Sequence, residues 1–460
     1  MDRQYRDAIA EASAILAQAM LEDANELIED GRKLDLKVKS VLWRLGCVLV
    51  QTLFRHLQRQ LVEEAKQKGF TVERRPKVCF KILFGPIWIE SVYMYDRAAK
   101  QGYRPLREHF GVVGRSYSDG VERALTDFGI EKSFGRAATQ FEEHYGWEVG
   151  RTTVLRLTEN LGERAEEYLQ QRFKQGEERY LTADAAAPKA NCVVTSLDGC
   201  MIRTGKLMTA QQAADQAEDD AEADHYGSLE PDKVVRPEAW KEVRTGLARK
   251  QGQVEPTFVC RRGSYAEVCR QLFGAAGLEG LGFDTKVIGL IDGAFGLKEA
   301  MEMSFADLQI ILDPSHLKHH FWETSKVLGH SEEAGQQWID AHFERLAHGH
   351  SLKVVAELQS ERVDHENGGD KQAAERMDRL IEYLRRFMNC VHYKKYRAED
   401  WPIGSGEAEA AHRYIPQERL KITGACWREE TLNPMLALRV ARANGWWDDF
   451  WQNEHAARAA

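Results

Sequence analysis

Three carboxylates in the sequence stand where they could hold divalent metal ions. Asp198 follows the apolar run NCVVTSL, and Asp292 follows KVIGLI. In open α/β sheets, functional groups collect at the carboxyl ends of strands. A third acid, Glu407 or Glu409, lies on a predicted helix late in the chain, within GSGEAEAAHRYI. Such a set suits in-line chemistry at phosphorus, in which two divalent ions about 3.5–4 Å apart stabilise the entering and leaving oxygens. Magnesium takes carboxylate oxygens, so no His or Cys ligand is required.

The choice of third acid is open from local sequence. Glu407 and Glu409 are two residues apart, which is about 200° around a helix, so only one can face the aspartate pair. Glu409 shares its helix face with His412 and Arg413, at i+3 and i+4. This spacing does not decide between the two.

Other polar residues flank the predicted site. Asp313 ends the apolar run LQIILD, so we expect it beside Asp292 as a supporting carboxylate. Three histidines follow Asp313 and could be neighbours of the site, but they are also typical of a polar helix face or of ordinary packing. They are His316, His319 and His320. Basic residues surround the segment that carries the third acid, and they could hold phosphates or form a solvated face. They are Lys394, Lys395, Arg413, Arg419 and Lys421.

The elements predicted between residues 190 and 313 would position these acids. NCVVTSLDGCMIRT predicts a strand, an Asp-Gly turn and a second strand. Strands at 240–248 and 256–262, a helix near 264–277 and strands at 286–293 and 308–313 follow. The acidic run at 212–232 predicts a solvated loop. Acids on the first and fourth strands, in this element order, describe a ribonuclease-H-like core, where those two strands are neighbours.

The N-terminal part predicts a DNA-recognition region. Helical spacing dominates residues 1 to about 70, and a hairpin with strands near 74–83 and 87–95 turns at Phe84-Gly85-Pro86. Residues 134–166 then have the helix, short turn, helix outline of a helix-turn-helix, although any two consecutive helices share it. The second helix would present Arg151, Thr152 and Arg156 near its start.

Length and composition predict a multidomain α/β protein. The chain has 460 residues, 43% of them hydrophobic, and a net charge of −9. It has no C-x-x-C pair or membrane-length apolar run, and its first residues are charged and amphipathic, which is not typical of a signal peptide. We therefore expect reduced thiols and a cytoplasmic location. We predict an N-terminal helical region at residues 1–72 and a DNA-binding region, with the hairpin and the helix-turn-helix outline, at 73–180. The first part of the catalytic core follows at 190–313, with an acidic loop at about 207–233. An all-α insertion at 314–400 separates it from the second part of the core at 401–445.

Several blocks together resemble the DDE transposases of bacterial insertion sequences, and within them the ISKra-type group. The blocks are TSLDG, WKEVRTG, IGLIDGAFGLKEA, ILDPSHLKHHFW and IGSGEAEAAHRYIPQERLKITGACW, within a resemblance from about residue 75 to 445. The family's G-S-G-x-x-E pattern places the third acid at Glu409 and leaves Glu407 facing solvent. An Asp-x-x-His pair, as in related transposases, makes His316 an expected neighbour of the active site.

The resemblance implies an enzyme that cleaves DNA at the ends of an insertion sequence and joins them to target DNA. Asp198, Asp292 and Glu409 would be both catalytic residues and ligands of Mg²⁺ or Mn²⁺. The expected partners are inverted-repeat ends, target DNA and further copies of the chain, in a homodimer or higher assembly, without a membrane and associated with the nucleoid during the reaction. Two alternatives stay open: a ribonuclease-H-like nuclease without strand transfer, and a non-catalytic, sequence-specific DNA-binding relative.

Overall fold

The computed structural model describes residues 3–21, 34–114, 116–182 and 189–459. The chain forms two compact units, one made of Met1–Leu155 with His455–Ala460 and the other of Arg156–Glu454. The fold is mixed α/β, with a five-stranded mixed sheet in the second unit. No described helix is long and apolar enough to cross a membrane.

The first unit combines helices with short strands. Its elements are α1 (Arg3–Leu21), α2 (Leu34–Gln67), β1 (Thr71–Arg74), β2 (Lys77–Ile82), β3 (Gly85–Glu90), β4 (Tyr93–Asp96), β5 (Gln101–Tyr103), α3 (Pro105–Phe110), α4 (Asp119–Glu131) and α5 (Phe134–Tyr145). Residues 3–21 and 34–67 of the predicted N-terminal helical region are helical, β1 begins within its last residues, and residues 22–33 lie outside the described residues. The predicted hairpin is confirmed as β2 and β3, which pair from Lys77↔Glu90 to Ile82↔Gly85.

The predicted helix, turn, helix outline is also confirmed as local structure. Ser133 caps α5, since its side chain accepts a hydrogen bond from the Arg136 N–H, and Gly146 ends the helix at a φ of +73°. The next helix is α6 (Arg151–Leu181), and Arg151 lies at its start as expected. Arg151, Thr152 and Arg156 are all exposed on it. Their contact with DNA stays a prediction.

The second unit contains the five-stranded sheet. Its strands are β6 (Cys192–Gly205), β7 (Met208–Thr209), β8 (Val234–Val235), β9 (Glu238–Lys250), β10 (Thr257–Arg261), β11 (Lys286–Ile291) and β12 (Leu308–Leu312). The order in the sheet is β10-β9-β6-β11-β12. Strands β6, β9 and β10 are antiparallel neighbours, whereas β11 is parallel to both β6 and β12. The first and fourth long strands are therefore adjacent.

Helices cover this sheet and fill the segment after it. They are α7 (Ala210–Asp215), α8 (Asp220–Gly227), α9 (Tyr265–Leu278), α10 (Leu297–Ser304), α11 (Pro314–Val327), α12 (Glu332–Ala347), α13 (Ser351–Asn367), α14 (Lys371–Arg386), α15 (Tyr393–Ala398), α16 (Gly406–His412), α17 (Glu418–Leu420), α18 (Leu432–Ala443) and α19 (Trp447–Ala459). The segment predicted to be helical after Pro314 is helical. All eight cysteines are free.

Two local predictions are wrong. The Asp-Gly at 198–199 does not turn the chain, because β6 continues through it and pairs with β9 on both sides, with Asp198↔Thr245 and Gly199↔Arg244. A continuous antiparallel partner supplies backbone hydrogen bonds that override the turn preference of this dipeptide. The acidic segment is not a loop throughout, since α7 and α8 form within it, capped by Thr209 and Asp219.

Candidate active site

Asp198 and Asp292 stand at matching positions on neighbouring strands. The β6–β11 pairing ends at Ser196↔Leu290, and each aspartate lies two residues beyond that pair. Adjacent strands are about 4.8 Å apart, so the backbones at Asp198 and Asp292 lie next to each other at this end of the sheet. The charge of Asp198 accordingly helps to raise the pKa of Asp292, after the larger effect of burial.

A buried histidine fixes the Asp198 carboxylate. His412, at the end of α16, donates from Nδ1 to Asp198 Oδ2 at 2.8 Å, and the Gly199 N–H donates to Oδ1 at 2.6 Å. A carboxylate only accepts hydrogen bonds, so this nitrogen carries the proton. Burial acts to raise the pKa of Asp198, but the His412 hydrogen bond and charge and the Gly199 N–H outweigh it, and the pKa is lowered. Asp198 therefore stays ionised.

The Asp292 segment is shaped by an aromatic side chain from α14. The Asp292 Oδ1 atom accepts a hydrogen bond from the Ala294 N–H at 2.9 Å, and the Tyr383 hydroxyl donates to the Asp292 carbonyl at 3.0 Å. Gly293 has a φ of +91°, and a Cβ added there would lie 2.1 Å from the Tyr383 hydroxyl oxygen. A side chain is strained at this position, which accounts for the glycine that follows Asp292.

The two glutamates of α16 have different surroundings. Glu407 forms a two-point ion pair with Arg249 of β9, with both nitrogen–oxygen distances 2.9 Å. Glu409 lies 3.7 Å from His316 Nε2 through Oε1, and its side chain is 58% exposed. The charge of His316 acts on both Asp198 and Asp292. Glu409 therefore contacts a residue whose charge reaches both aspartates, whereas Glu407 is paired with Arg249.

Asp313 links the helix that carries His316 to the segment before α16. Its Oδ1 accepts hydrogen bonds from the Ser315 N–H at 2.6 Å and the His316 N–H at 3.3 Å, and from the Ser315 hydroxyl. Its Oδ2 accepts from the Ser405 N–H at 2.7 Å and the Ser405 hydroxyl at 2.8 Å. The side chain is buried and fully engaged, so it positions these elements and has no lone pair directed at a ligand.

The predicted phosphate-binding residues fall into three groups. Lys395, Arg413 and Lys421 are exposed, and the charge of Lys421 acts on the Cys200 thiol, two residues from Asp198. Lys394 is paired with Glu344 at 2.7 Å. The prediction for Arg419 is wrong, because only 2% of this residue is exposed and its guanidinium packs over the Trp427 ring at 4.8 Å. This side chain is buried in the core, where it does not contact a phosphate at the surface.

The donor chemistry of the aspartate pair fits a hard divalent cation. Both groups are carboxylates, which magnesium and manganese prefer, and the lowered pKa keeps Asp198 charged. The third expected ligand, Glu409, does not join this pair, however. Within the described residues no group of three or more His, Cys, Asp or Glu side chains is close enough to hold a metal ion. Glu409 would have to move closer to Asp198 and Asp292 to share a metal ion with them.

Sequence reasoning missed three residues that shape the site. His412 was recognised only as a neighbour of Glu409 on its helix face, and that i+3 spacing was the available signal. No sequence signal pointed to Tyr383 or Arg249. Tyr383 lies 91 residues from Asp292, and Arg249 lies 158 residues from Glu407. Their roles follow from tertiary packing.

The chain was compared with protein families, curated proteins and solved structures. Residues 28–188 match an uncharacterised protein family, UPF0236, which covers about a third of the chain. No curated protein matches the sequence. Among solved structures, the chain is similar to a Drosophila P element transposase strand transfer complex, with 12% sequence identity and a TM-score of 0.24 over 77% of this chain and 84% of that chain. At this TM-score the likeness supports no conclusion about fold or function.

Proposed function

We propose that this protein is a DDE-type DNA transposase with a ribonuclease-H-like core. The observation that carries the proposal is the placement of Asp198 and Asp292 side by side on adjacent strands, with the Glu409 helix anchored to the same edge through His412. Carboxylates at the end of a sheet can hold the divalent ions that stabilise the entering and leaving oxygens of in-line phosphoryl transfer. The resemblance of the sequence blocks to ISKra-type transposases supports the same assignment.

Asp198, Asp292 and Glu409 would hold Mg²⁺ or Mn²⁺, which when bound would stabilise the charge on the entering and leaving oxygens. His412 keeps Asp198 ionised and correctly oriented. Asp313 holds α11 and the Gly404-Ser405-Gly406 segment together, which positions His316 and the helix that carries Glu409 relative to each other. Lys421, Arg413 and Lys395 are exposed cations suited to DNA phosphates.

The proposed reaction has two steps of the same kind. Water attacks phosphorus at the element border, so one P–O bond forms, one breaks and a 3′-hydroxyl leaves. That hydroxyl then attacks a target phosphodiester, again forming one P–O bond while one breaks. A nuclease without strand transfer would stop after the first step.

The test is a cleavage and joining assay on donor DNA that contains this gene with its native flanks. The protein and Mg²⁺ are added together with a supercoiled plasmid as the target, and the positions of nicks and of joined products are mapped. We expect nicks at two inverted-repeat borders and joined products, both lost in Asp198→Asn and Asp292→Asn. Glu407→Gln is the matched control and should behave as wild type. Dispersed nicks without joined products would favour the nuclease, and no cleavage with intact end binding would favour the non-catalytic relative.

DNA recognition is proposed to be separable from catalysis. The exposed side chains at the start of α6 include Arg156, and an arginine–guanine contact is worth roughly 1–3 kcal/mol of discrimination. Arg156→Ala should weaken binding of the element ends about tenfold in a gel-shift assay at fixed salt, whereas Asp292→Asn should leave binding intact. Equal loss in both variants would mean that the catalytic core itself holds the ends.

A further inference from the structure

A cationic groove in the first unit has no role in the proposed chemistry. It is a cavity of about 580 Å³ between α2 and the β2–β3 hairpin. Nine of its twelve lining residues are polar or charged, whereas pockets for small organic ligands are mostly apolar. Five of the nine are basic and two are acidic, so the groove carries a net charge of +3 in a chain whose net charge is −9.

The cations on α2 form a row. Arg55, Arg59 and Lys66 occur at intervals of four and seven residues, which places them along one face of the helix. The row is about 16 Å long at a rise of 1.5 Å per residue. This length is enough to contact more than one phosphate of a single DNA strand.

Three of the five cations have no ion-pair partner among the residues that the structure describes. Lys66 pairs with Glu63 at 2.7 Å, and Arg75 pairs with Glu90 at 3.5 Å. Among the described residues, no ion pair involves Arg55, Arg59 or Lys77. Unpaired arginines present planar forks that bind phosphate oxygens through two hydrogen bonds.

An aromatic ring stands at the same groove. Strand β3 alternates, with Ile87 and Ile89 buried in the core and Trp88 turned outward. Gln51 of α2 donates a hydrogen bond to the Trp88 backbone carbonyl at 2.5 Å, which ties the strand to the helix at this residue. The residue is nevertheless 60% exposed. An open indole beside cations is suited to stacking on a nucleobase, as in grooves that bind single-stranded nucleic acid.

We propose that this groove binds a single strand of DNA, with Arg55, Arg59 and Lys77 on the phosphates and Trp88 stacked on a base. The choice of DNA rests on the proposed function. An acidic peptide would satisfy the cations equally well but would leave the exposed indole without a partner, so the combination favours nucleic acid. The groove is distinct from the start of α6 and from the carboxylate site.

The test is binding of a fluorescein-labelled single-stranded 15-mer to the full chain without divalent metal, followed by anisotropy over a range of salt. The double variant Arg55→Ala/Arg59→Ala should weaken binding at least tenfold. It should also reduce the slope of log K against log salt by about 1.4, at roughly 0.7 for each phosphate contact. Arg97→Ala/Arg107→Ala removes equal charge from exposed positions of the same unit outside the groove and is the matched control.

A second variant separates stacking from charge. Trp88→Ala should weaken binding about fivefold or more with the salt slope unchanged, and Trp88→Phe should retain most of the affinity. Equal losses in the groove and control doubles, or stronger binding of polyglutamate than of the oligonucleotide, would overturn the proposal. Groove-dependent binding by a protein that never nicks DNA would instead leave the groove standing and refute the transposase.

Discussion

The position of Asp313 makes it the most informative residue for testing how the site is assembled. Asp313→Asn replaces one carboxylate oxygen by an NH₂ group, which must face donors from Ser405 or from Ser315 and His316. At least one backbone N–H then loses its acceptor, and the remaining bonds lose a charged partner. Hydrogen bonds to charged groups are worth about 1.5–3 kcal/mol each, so we expect a local loss of about 3 kcal/mol.

A local loss of this size should be visible in hydrogen–deuterium exchange. About 3 kcal/mol corresponds to an increase of roughly 100-fold in local opening, because each 1.4 kcal/mol is a factor of ten. Peptides that cover residues 402–412 should exchange faster by this factor, and DNA cleavage should fall in parallel. Asp307→Asn is the matched control, since Asp307 is an exposed partner of Lys286 at 2.7 Å. Unchanged exchange together with full cleavage in Asp313→Asn would refute the linking role.

The same residue gives a pH prediction. Burial acts to raise the pKa of Asp313, but the hydrogen bonds from Ser315 and Ser405 outweigh it, so the folded pKa is lowered. Its contribution to stability is therefore present above the unfolded pKa near 4 and is lost as the pH falls through the folded value. The difference in urea midpoint between wild type and Asp313→Asn should narrow below about pH 4. If the difference in urea midpoint instead became larger as the pH falls, the lowered pKa assigned to Asp313 would be wrong.

The remaining predictions concern the residues around Asp313. Glu409→Gln should abolish cleavage while Glu407→Gln retains it, because Glu407 is paired with Arg249, and the reverse result would exchange their roles. His412→Ala should lower the cleavage rate about 10–100-fold, whereas His412→Asn, which keeps a donor near Nδ1, should retain most activity; equal loss in both would mean that the ring itself is needed. Gly293→Ala should impair folding of the site, and addition of Tyr383→Phe should relieve part of the clash in a thermal-unfolding comparison; no relief would point to the positive φ alone.

The sequence was informative wherever the signal was local. The hairpin at Gly85, the start of α6 at Arg151 and the strand-terminal position of Asp292 all depend on neighbours in the chain. Prediction was wrong where long-range pairing overrode local preference, as for Gly199, which β9 holds in an extended strand. It was also wrong for Arg419, because a charged side chain that packs on Trp427 has no local signature. His412 lies between these cases, since its helix face was visible and its bond to Asp198 was not.

The central claim, that the carboxylates hold the metal of a DNA-cleaving site, is tested most directly by changing the ligand at Asp292. Asp292→Cys replaces a hard oxygen ligand by a softer sulfur, which Mg²⁺ disfavours and Mn²⁺ tolerates better. We predict that this variant binds the element ends, fails to nick them with Mg²⁺ and recovers nicking with Mn²⁺. Cleavage at the wild-type rate with Mg²⁺, or inactivity with both metals despite intact DNA binding, would contradict metal ligation by Asp292.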